Sequence, residues 1–212
     1  MTSDAGQSGP SAGGQFDDAG YSPALSAPRP SSTPPQDKDT SNKAEWHAGL
    51  DLGLLAIRVI LGGIFIVHGL QKLGMFGGMD GNGGGVSVFA DALSASGYSA
   101  TTMLAWVTTV TELGAGVLLV LGLFTALAGA GIVGVMTNAV IAMKLEAGFF
   151  AGEGGYEYEM MLGAAALALM FTGAGRVALD RRTRWFSHAP AFGLVSLILA
   201  AVATVVVLLV FR

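Results

Sequence analysis

The strongest constraint on this chain is a series of apolar segments, each about as long as a membrane is thick. A bilayer core of about 30 Å requires roughly 20 residues of helix, at about 1.5 Å of rise each. Five segments of suitable length follow one another: Leu50–Leu70, Thr101–Phe124, Thr125 to about Lys144, about Tyr156 to Val177, and Pro190–Phe211. They predict an all-α fold class, an integral membrane helical bundle.

The composition supports this prediction and excludes several functions. The 212 residues are 52% hydrophobic and 12% charged, with a mean hydropathy of +0.59, whereas a soluble domain carries about 25% charged residues. A net charge of −4 argues against a nucleic-acid partner. The absence of cysteine excludes disulfides, a thiolate nucleophile and iron–sulfur ligation by this chain. Its three histidines are too scattered to predict a metal site.

Three regions follow from the distribution of proline and charge. Residues 1–49 contain all but one of the seven prolines, so we expect a disordered Pro/Ser/Gly-rich tail that lacks the pattern of a signal peptide. Residues 50–181 form the membrane domain, and residues 182–212 form a cytoplasmic linker and a fifth span. Basic residues cluster in the segment LDRRTRW before that span. This bias predicts a cytoplasmic N-terminus and an external C-terminus.

Ionisable residues inside the spans are the first candidates for a functional site, because a charge at mid-bilayer is costly unless it is paired or hydrated. Glu112 is the clearest case, and Asn138 lies at the same level if the second and third spans form a tight hairpin. Arg58 could reach Glu112 or extend towards Asp51. The alternatives remain a structural ion pair for Glu112, a membrane anchor for Arg58 and a hydrogen bond between helices for Asn138.

A second group of candidates lies at the outer ends of the spans. The uncharged run of the fourth span, Met160–Gly175, is short, so Glu159 is drawn towards the membrane. We expect it to join a polar vestibule that narrows to Glu112. The other residues of this vestibule are His68, Lys72, Trp106, Lys144 and Tyr156, with Glu157 and Tyr158 beside them. Aromatic and charged side chains are also ordinary at a membrane interface, and that alternative stays open.

Three pieces of the sequence resemble the DoxX family of bacterial membrane proteins. They are LAIRVILGGIFIVHGLQKLGMFGG, with Arg58 and Lys72; TELGAGVLLVLGLFTALAGAGI, with Glu112 and the turn Gly122 to Thr125; and GYEYEMMLGAAALALMFTGAGRVALD, with Glu159 and Asp180. Together they extend over about residues 50–181. The resemblance implies a four-helix membrane bundle in a bacterial plasma membrane. The N-terminal tail and the fifth span depart from the family pattern.

The resemblance also implies a function related to redox chemistry. Some relatives act as a membrane subunit of a thiosulfate:quinone oxidoreductase, and others are linked to oxidative stress and thiol homeostasis. The preferred hypothesis is a membrane subunit of a redox complex that binds a quinone or similar amphiphile through Arg58, Glu112, Asn138 and Glu159. The chain contains no self-contained catalytic or cofactor-binding motif. A non-catalytic scaffold for soluble redox enzymes and a small-solute or proton-coupled transporter are the alternatives.

Overall fold

The computed structural model describes residues 48–183 and 188–212. Six α-helices lie in these residues: α1 Ala48–Lys72, α2 Val86–Ala95, α3 Thr101–Leu121, α4 Thr125–Ala139, α5 Glu157–Thr172 and α6 Ala189–Val210. No β-strand occurs within the described ranges. The predicted fold class, an all-α helical bundle, is confirmed. The N-terminal tail lies outside the described residues up to position 47, and α1 begins at Ala48, two residues before the predicted boundary.

Four helices are long and apolar enough to cross a membrane: α1, α3, α6, and α4 when it is counted to Ala142. The predicted fourth span is shorter than expected, because α5 has only 16 residues, or about 24 Å of helix. It ends at Gly173, whose φ of +76° breaks the helical path, and Gly175 has a φ of +74°. Helix α5 packs against α4 and α6. Four of the five predicted spans thus correspond to helices long and apolar enough to cross a membrane, and α5 is shorter than the predicted span.

Helices α1 and α3 are in backbone contact through glycine. A Cβ atom placed on Gly62 would lie 2.6 Å from the carbonyl oxygen of Gly116, and one placed on Gly116 would lie 2.7 Å from the carbonyl oxygen of Gly62. About two turns further along α1, a Cβ on Gly69 would lie 2.5 Å from the side chain of Leu113. Small residues allow membrane helices to approach this closely. The contacts fix the register in which α1 runs antiparallel to α3.

The remaining contacts sort the helix ends into two groups. At one end, the turn between α3 and α4 meets the segment after α5, where the Asp180 amide donates to the Gly122 carbonyl at 3.1 Å and the Asp180 carboxylate accepts from the Phe124 amide. At the other end, the Ser99 amide donates to the Phe211 carbonyl at 2.5 Å. The start of α3 and the end of α6 therefore lie together. The side of the membrane on which each end lies stays a prediction.

The core of the bundle is formed by apolar side chains from α1, α3, α4 and α5. Its central cluster comprises Leu54, Leu61, Phe65, Ala115, Leu119, Ala128, Ile132, Leu162, Ala166 and Leu169. A second cluster joins Phe89, Ala90 and Leu93 of α2 to Tyr98 and to Leu104 and Ala105 of α3. Helix α2 consequently covers the first turns of α3 at the end where α1 stops.

The glycine contact predicts a position-specific effect of one methyl group. Gly62→Ala should destabilise the protein by about 1–3 kcal/mol, because the added Cβ meets backbone that cannot move independently. Gly63→Ala is the matched control, since nothing lies within 4 Å of a Cβ at that position. Thermal unfolding of the detergent-solubilised variants measures the difference. Equal melting temperatures for the two variants would show that α1 and α3 do not touch at Gly62.

Candidate functional site

A cavity of about 600 Å³ lies among the helices, bounded by the C-terminal part of α1 and by α2, α3, α4, α5 and α6. Most of its lining is apolar, as in typical ligand pockets. Its ionisable and amide side chains are His68, Lys72, Tyr98, Glu112, Asn138, Tyr158 and Glu159, joined by the hydroxyls of Thr108, Thr111 and Thr204. Five of the nine predicted site residues, namely His68, Lys72, Glu112, Asn138 and Glu159, therefore line one cavity.

The centre of the polar lining is an ion pair between Lys72 and Glu112. Lys72 Nζ donates to Glu112 Oε2 at 2.7 Å, and the two side chains are only 7% and 4% exposed. The ammonium also lies 4.8 Å from the ring centroid of Phe89, in a cation–π arrangement. Lys72 is the last residue of α1, so the antiparallel contact with α3 places it opposite Glu112. A charge buried this deeply requires such a partner.

Arg58 does not pair with Glu112, and this sequence prediction is wrong. Its guanidinium is buried at the opposite end of the bundle, where it donates to the carbonyl of Ala174 and, at 2.7 Å, to that of Val177. These carbonyls follow the end of α5. Arg58 lies 14 residues before Lys72 in α1, about 21 Å along the helix axis, so it cannot reach the level of Glu112. The other predicted direction, extension towards Asp51, agrees with the structure, because the carbonyls that Arg58 contacts flank Arg176, whose amide donates to the Asp51 carboxylate.

Asn138 is held by contacts with its own helix and with α6. Its Nδ2 donates to the Gly134 carbonyl at 2.9 Å and to Thr204 Oγ1 at 3.4 Å. Beyond Ala139, helix α4 continues as one π-helical turn, Val140–Lys144, a feature often found beside functional sites. Helix α6 therefore contributes Thr204 to the cavity lining and contacts a predicted site residue.

Glu159 enters the cavity from the first turn of α5. Its Oε1 lies 3.9 Å from Lys144 Nζ, at the limit of an ion pair, and Lys144 itself is more than one-third exposed. Glu159 Oε2 and Asn138 Oδ1 are both buried and have no hydrogen-bond partner within the described residues. Buried polar atoms normally have partners. Both oxygens are enclosed by neighbouring atoms, so the residues line the cavity through other atoms of their side chains or backbone.

The remaining predicted residues lie outside the cavity. Trp106 is 50% exposed on the outer surface of α3. Tyr156 packs edge-to-face on Phe149, with ring centroids 5.7 Å apart. Arg58 and Lys144 do not line the cavity either.

Sequence reasoning missed Thr204, Phe89 and Tyr98 as cavity residues. Thr204 is one of two polar side chains in an otherwise apolar helix, which was a usable signal. Phe89 and Tyr98 gave no such signal, because their positions beside the cavity depend on how α2 packs on α3. Tyr98 lies in the connection between these two helices, and burial raises the pKa of its phenol above the usual value.

These features define a multi-pass helical membrane protein with a buried ion pair beside an apolar cavity. Within this class, the chain belongs to the DoxX family, whose profile, described as DoxX, matches residues 53–145. That range contains Lys72, Glu112 and Asn138. Glu159 and Thr204 lie beyond it.

Two curated proteins resemble the chain along most of their own length. One, from Bacillus subtilis, is named "Putative oxidoreductase CatD" and is 35% identical over 134 residues, which are 63% of this chain and 89% of that protein. The other is an uncharacterized membrane protein of Mycobacterium tuberculosis, 30% identical over 148 residues, which are 64% of this chain and 84% of that protein. No solved structure matches the chain at a significant level.

The buried ion pair predicts strong coupling between two substitutions. Lys72→Met or Glu112→Leu alone should destabilise the protein by about 3–5 kcal/mol, because each leaves one charge buried without its partner. The double variant should be less destabilised than either single variant, since it buries no charge. A double-mutant cycle of thermal unfolding in detergent measures this coupling. Additive effects of the two substitutions would contradict the pairing.

Proposed function

We propose that the protein is the membrane subunit of an oxidoreductase complex and that its cavity binds a quinone or a similar amphiphile. The observation that carries this proposal is the cavity itself: about 600 Å³ of mostly apolar lining, with a buried ion pair. Such a volume suits a ring with part of an apolar tail. The name printed for the Bacillus subtilis relative, an oxidoreductase, supports the same class of function.

The side chains present are suited to a ligand of this chemistry. When bound, a quinone supplies two-electron redox chemistry that is coupled to protons. Lys72 Nζ has three hydrogens and gives one to Glu112, so it can donate another to a ligand carbonyl. Glu112 can accept or release a proton in exchange with Lys72 at 2.7 Å. Asn138 and Glu159 line the same cavity beside this pair.

The electrons must come from another protein or a soluble donor under this proposal. The chain has no cysteine, so a sulfur-based redox step would use a thiol or cluster of a partner. A protein partner in a redox complex is therefore part of the proposal, as is a location in the bacterial plasma membrane with the N-terminus in the cytoplasm. The basic segment before α6 favours that orientation.

Binding of decylubiquinone to the purified protein in lipid nanodiscs tests the proposal. The wild-type protein should bind it saturably, and Glu112→Gln should weaken binding by about tenfold, because the variant lacks the charge that positions Lys72. Isothermal titration calorimetry measures both affinities.

Glu153→Gln is the matched control, because Glu153 is exposed and does not line the cavity. It should bind like the wild type. Failure of the folded wild-type protein to bind decylubiquinone would overturn the quinone site. If the folded protein does not bind decylubiquinone but a soluble redox enzyme co-purifies with it, the non-catalytic scaffold is favoured instead.

A further inference from the structure

The helices around the cavity leave one of its sides thinly covered. Helix α3 packs on α1, α2 and α4, whereas α6 packs on α4 and α5. Both α3 and α6 therefore lie on α4 without packing closely on each other along their length. The Ser99 amide binds the Phe211 carbonyl beside the start of α3 and the end of α6. Away from this contact, a gap between the two helices runs along α4.

The cavity reaches the outer surface of the bundle at this gap. Four of its aliphatic lining residues are more than half exposed, namely Val107 and Val110 of α3, Leu127 of α4 and Leu199 of α6. Because these residues belong both to the cavity wall and to the surface, they border an opening. Val110 and Leu199 lie near the midpoints of two helices long enough to cross a membrane. The opening consequently faces hydrocarbon rather than water.

Small residues of α4 close the cavity on the side opposite the opening. A Cβ atom on Gly131 would lie 2.9 Å from Thr111 Cγ2 of α3, and one on Gly134 would lie 3.8 Å from Thr204 Oγ1 of α6. Helix α4 thus approaches both neighbouring helices and leaves the space open only between them. We call this space the α3–α6 furrow; it is bounded by Gly131 and Gly134 below and by Val107, Val110, Gly114, Leu199 and Ala203 at the sides.

The furrow and the ion pair belong to the same cavity but differ in polarity. The part of α3 that lines the cavity extends from Val107 to Leu118, about 16 Å of helical rise. The residues that bound the furrow carry no charge, whereas Lys72 and Glu112 bring two charges to another part of the same lining. This division matches a molecule with a polar head group and an apolar chain.

We propose that the α3–α6 furrow holds the single apolar chain of a membrane-dissolved amphiphile whose head group lies beside Lys72 and Glu112. This inference rests on the proposed function and adds the class of ligand, a lipid-soluble molecule with a chain. Lipid is as apolar as the furrow, so the chain is held by close packing against the aliphatic walls rather than by transfer out of water. The chain therefore contributes through shape, and the width of the furrow decides whether it fits.

Gly114 is the position at which the furrow can be blocked. It lines the cavity, and nothing lies within 4 Å of a Cβ placed on it, so a larger side chain can enter the furrow without displacing a helix. Gly114→Leu should lower the affinity for decylubiquinone in lipid nanodiscs by about tenfold, because the leucine occupies the space of the chain. The same quinone ring without its decyl chain should bind the wild type and the variant equally. Isothermal titration calorimetry measures each affinity.

Two matched controls separate blocking of the furrow from a general effect on the helices. Gly63→Leu should bind decylubiquinone like the wild type, because Gly63 has equally open space around its Cβ position but does not line the cavity. On the opposite wall, Ala203→Leu should act like Gly114→Leu. Ala201→Leu is its control, since both alanines are exposed on α6 and only Ala203 lines the cavity.

A second measurement tests the furrow without any quinone. The full chain is placed in nanodiscs that contain a phospholipid with a diazirine group in the middle of one acyl chain, and the labelled residues are identified by mass spectrometry after photolysis. In the absence of another ligand, an acyl chain should occupy the furrow and label Gly131 to Val135. Gly114→Leu should reduce this labelling several-fold, and Gly63→Leu should leave it unchanged.

The outcomes distinguish the furrow from the quinone site. Label confined to lipid-facing residues outside the cavity, such as Val202 and Val206, would overturn the furrow. So would an equal loss of affinity for the two quinones in Gly114→Leu, since the effect would not arise from the chain; the quinone site would then stand. Binding of neither quinone, together with label on α4 that Gly114→Leu removes, would overturn the proposed function and support the furrow as a site for another amphiphile.

Discussion

The structure depends on one electrostatic constraint, which is that Lys72 and Glu112 can be buried only together. An ammonium and a carboxylate in a bundle of apolar helices each lose their hydration, and their mutual attraction at 2.7 Å offsets that loss. This geometry requires α1 and α3 to keep one register. The glycine contact at Gly62 and Gly116 supplies it, because the two backbones touch and no side chain can adjust between them. Helix α2 then covers the pair with Phe89.

The two basic residues of α1 have different functions because they meet different partners. Arg58 satisfies backbone carbonyls that follow the end of α5 and joins this segment to α1. Lys72 meets a carboxylate beside open volume. Only the second arrangement leaves a charged pair in contact with a space that a ligand can fill. Arg58 and Asp180 thus join helix ends at one end of the bundle, and the cavity with the ion pair lies at the other.

Much of the fold could be predicted from hydrophobicity, whereas the pairing of charges could not. Segment length and apolar content were enough for four spans, but the two glycines with positive φ that shorten α5 gave no signal in a hydropathy pattern. Glu112, Asn138 and Glu159 were predicted because burying a polar group in a membrane costs free energy, which makes such residues candidates for a functional site. Their partners depend on helix register, which is set by close contact at Gly62 and Gly116. For this reason the sequence left Arg58 as one possible partner of Glu112, whereas Lys72 is the partner in the structure.

The cavity is assembled from two parts of the chain, one inside and one beyond the range that the family profile matches. The ion pair lies within the segment that the family profile matches, while Thr204 and its neighbours in α6 form a wall from beyond it. A substitution in that wall changes the shape of the cavity without touching Lys72 or Glu112. The shape of the cavity can therefore be altered through α6 independently of the charged centre, which makes α6 the helix to vary when the volume of the cavity is to be changed.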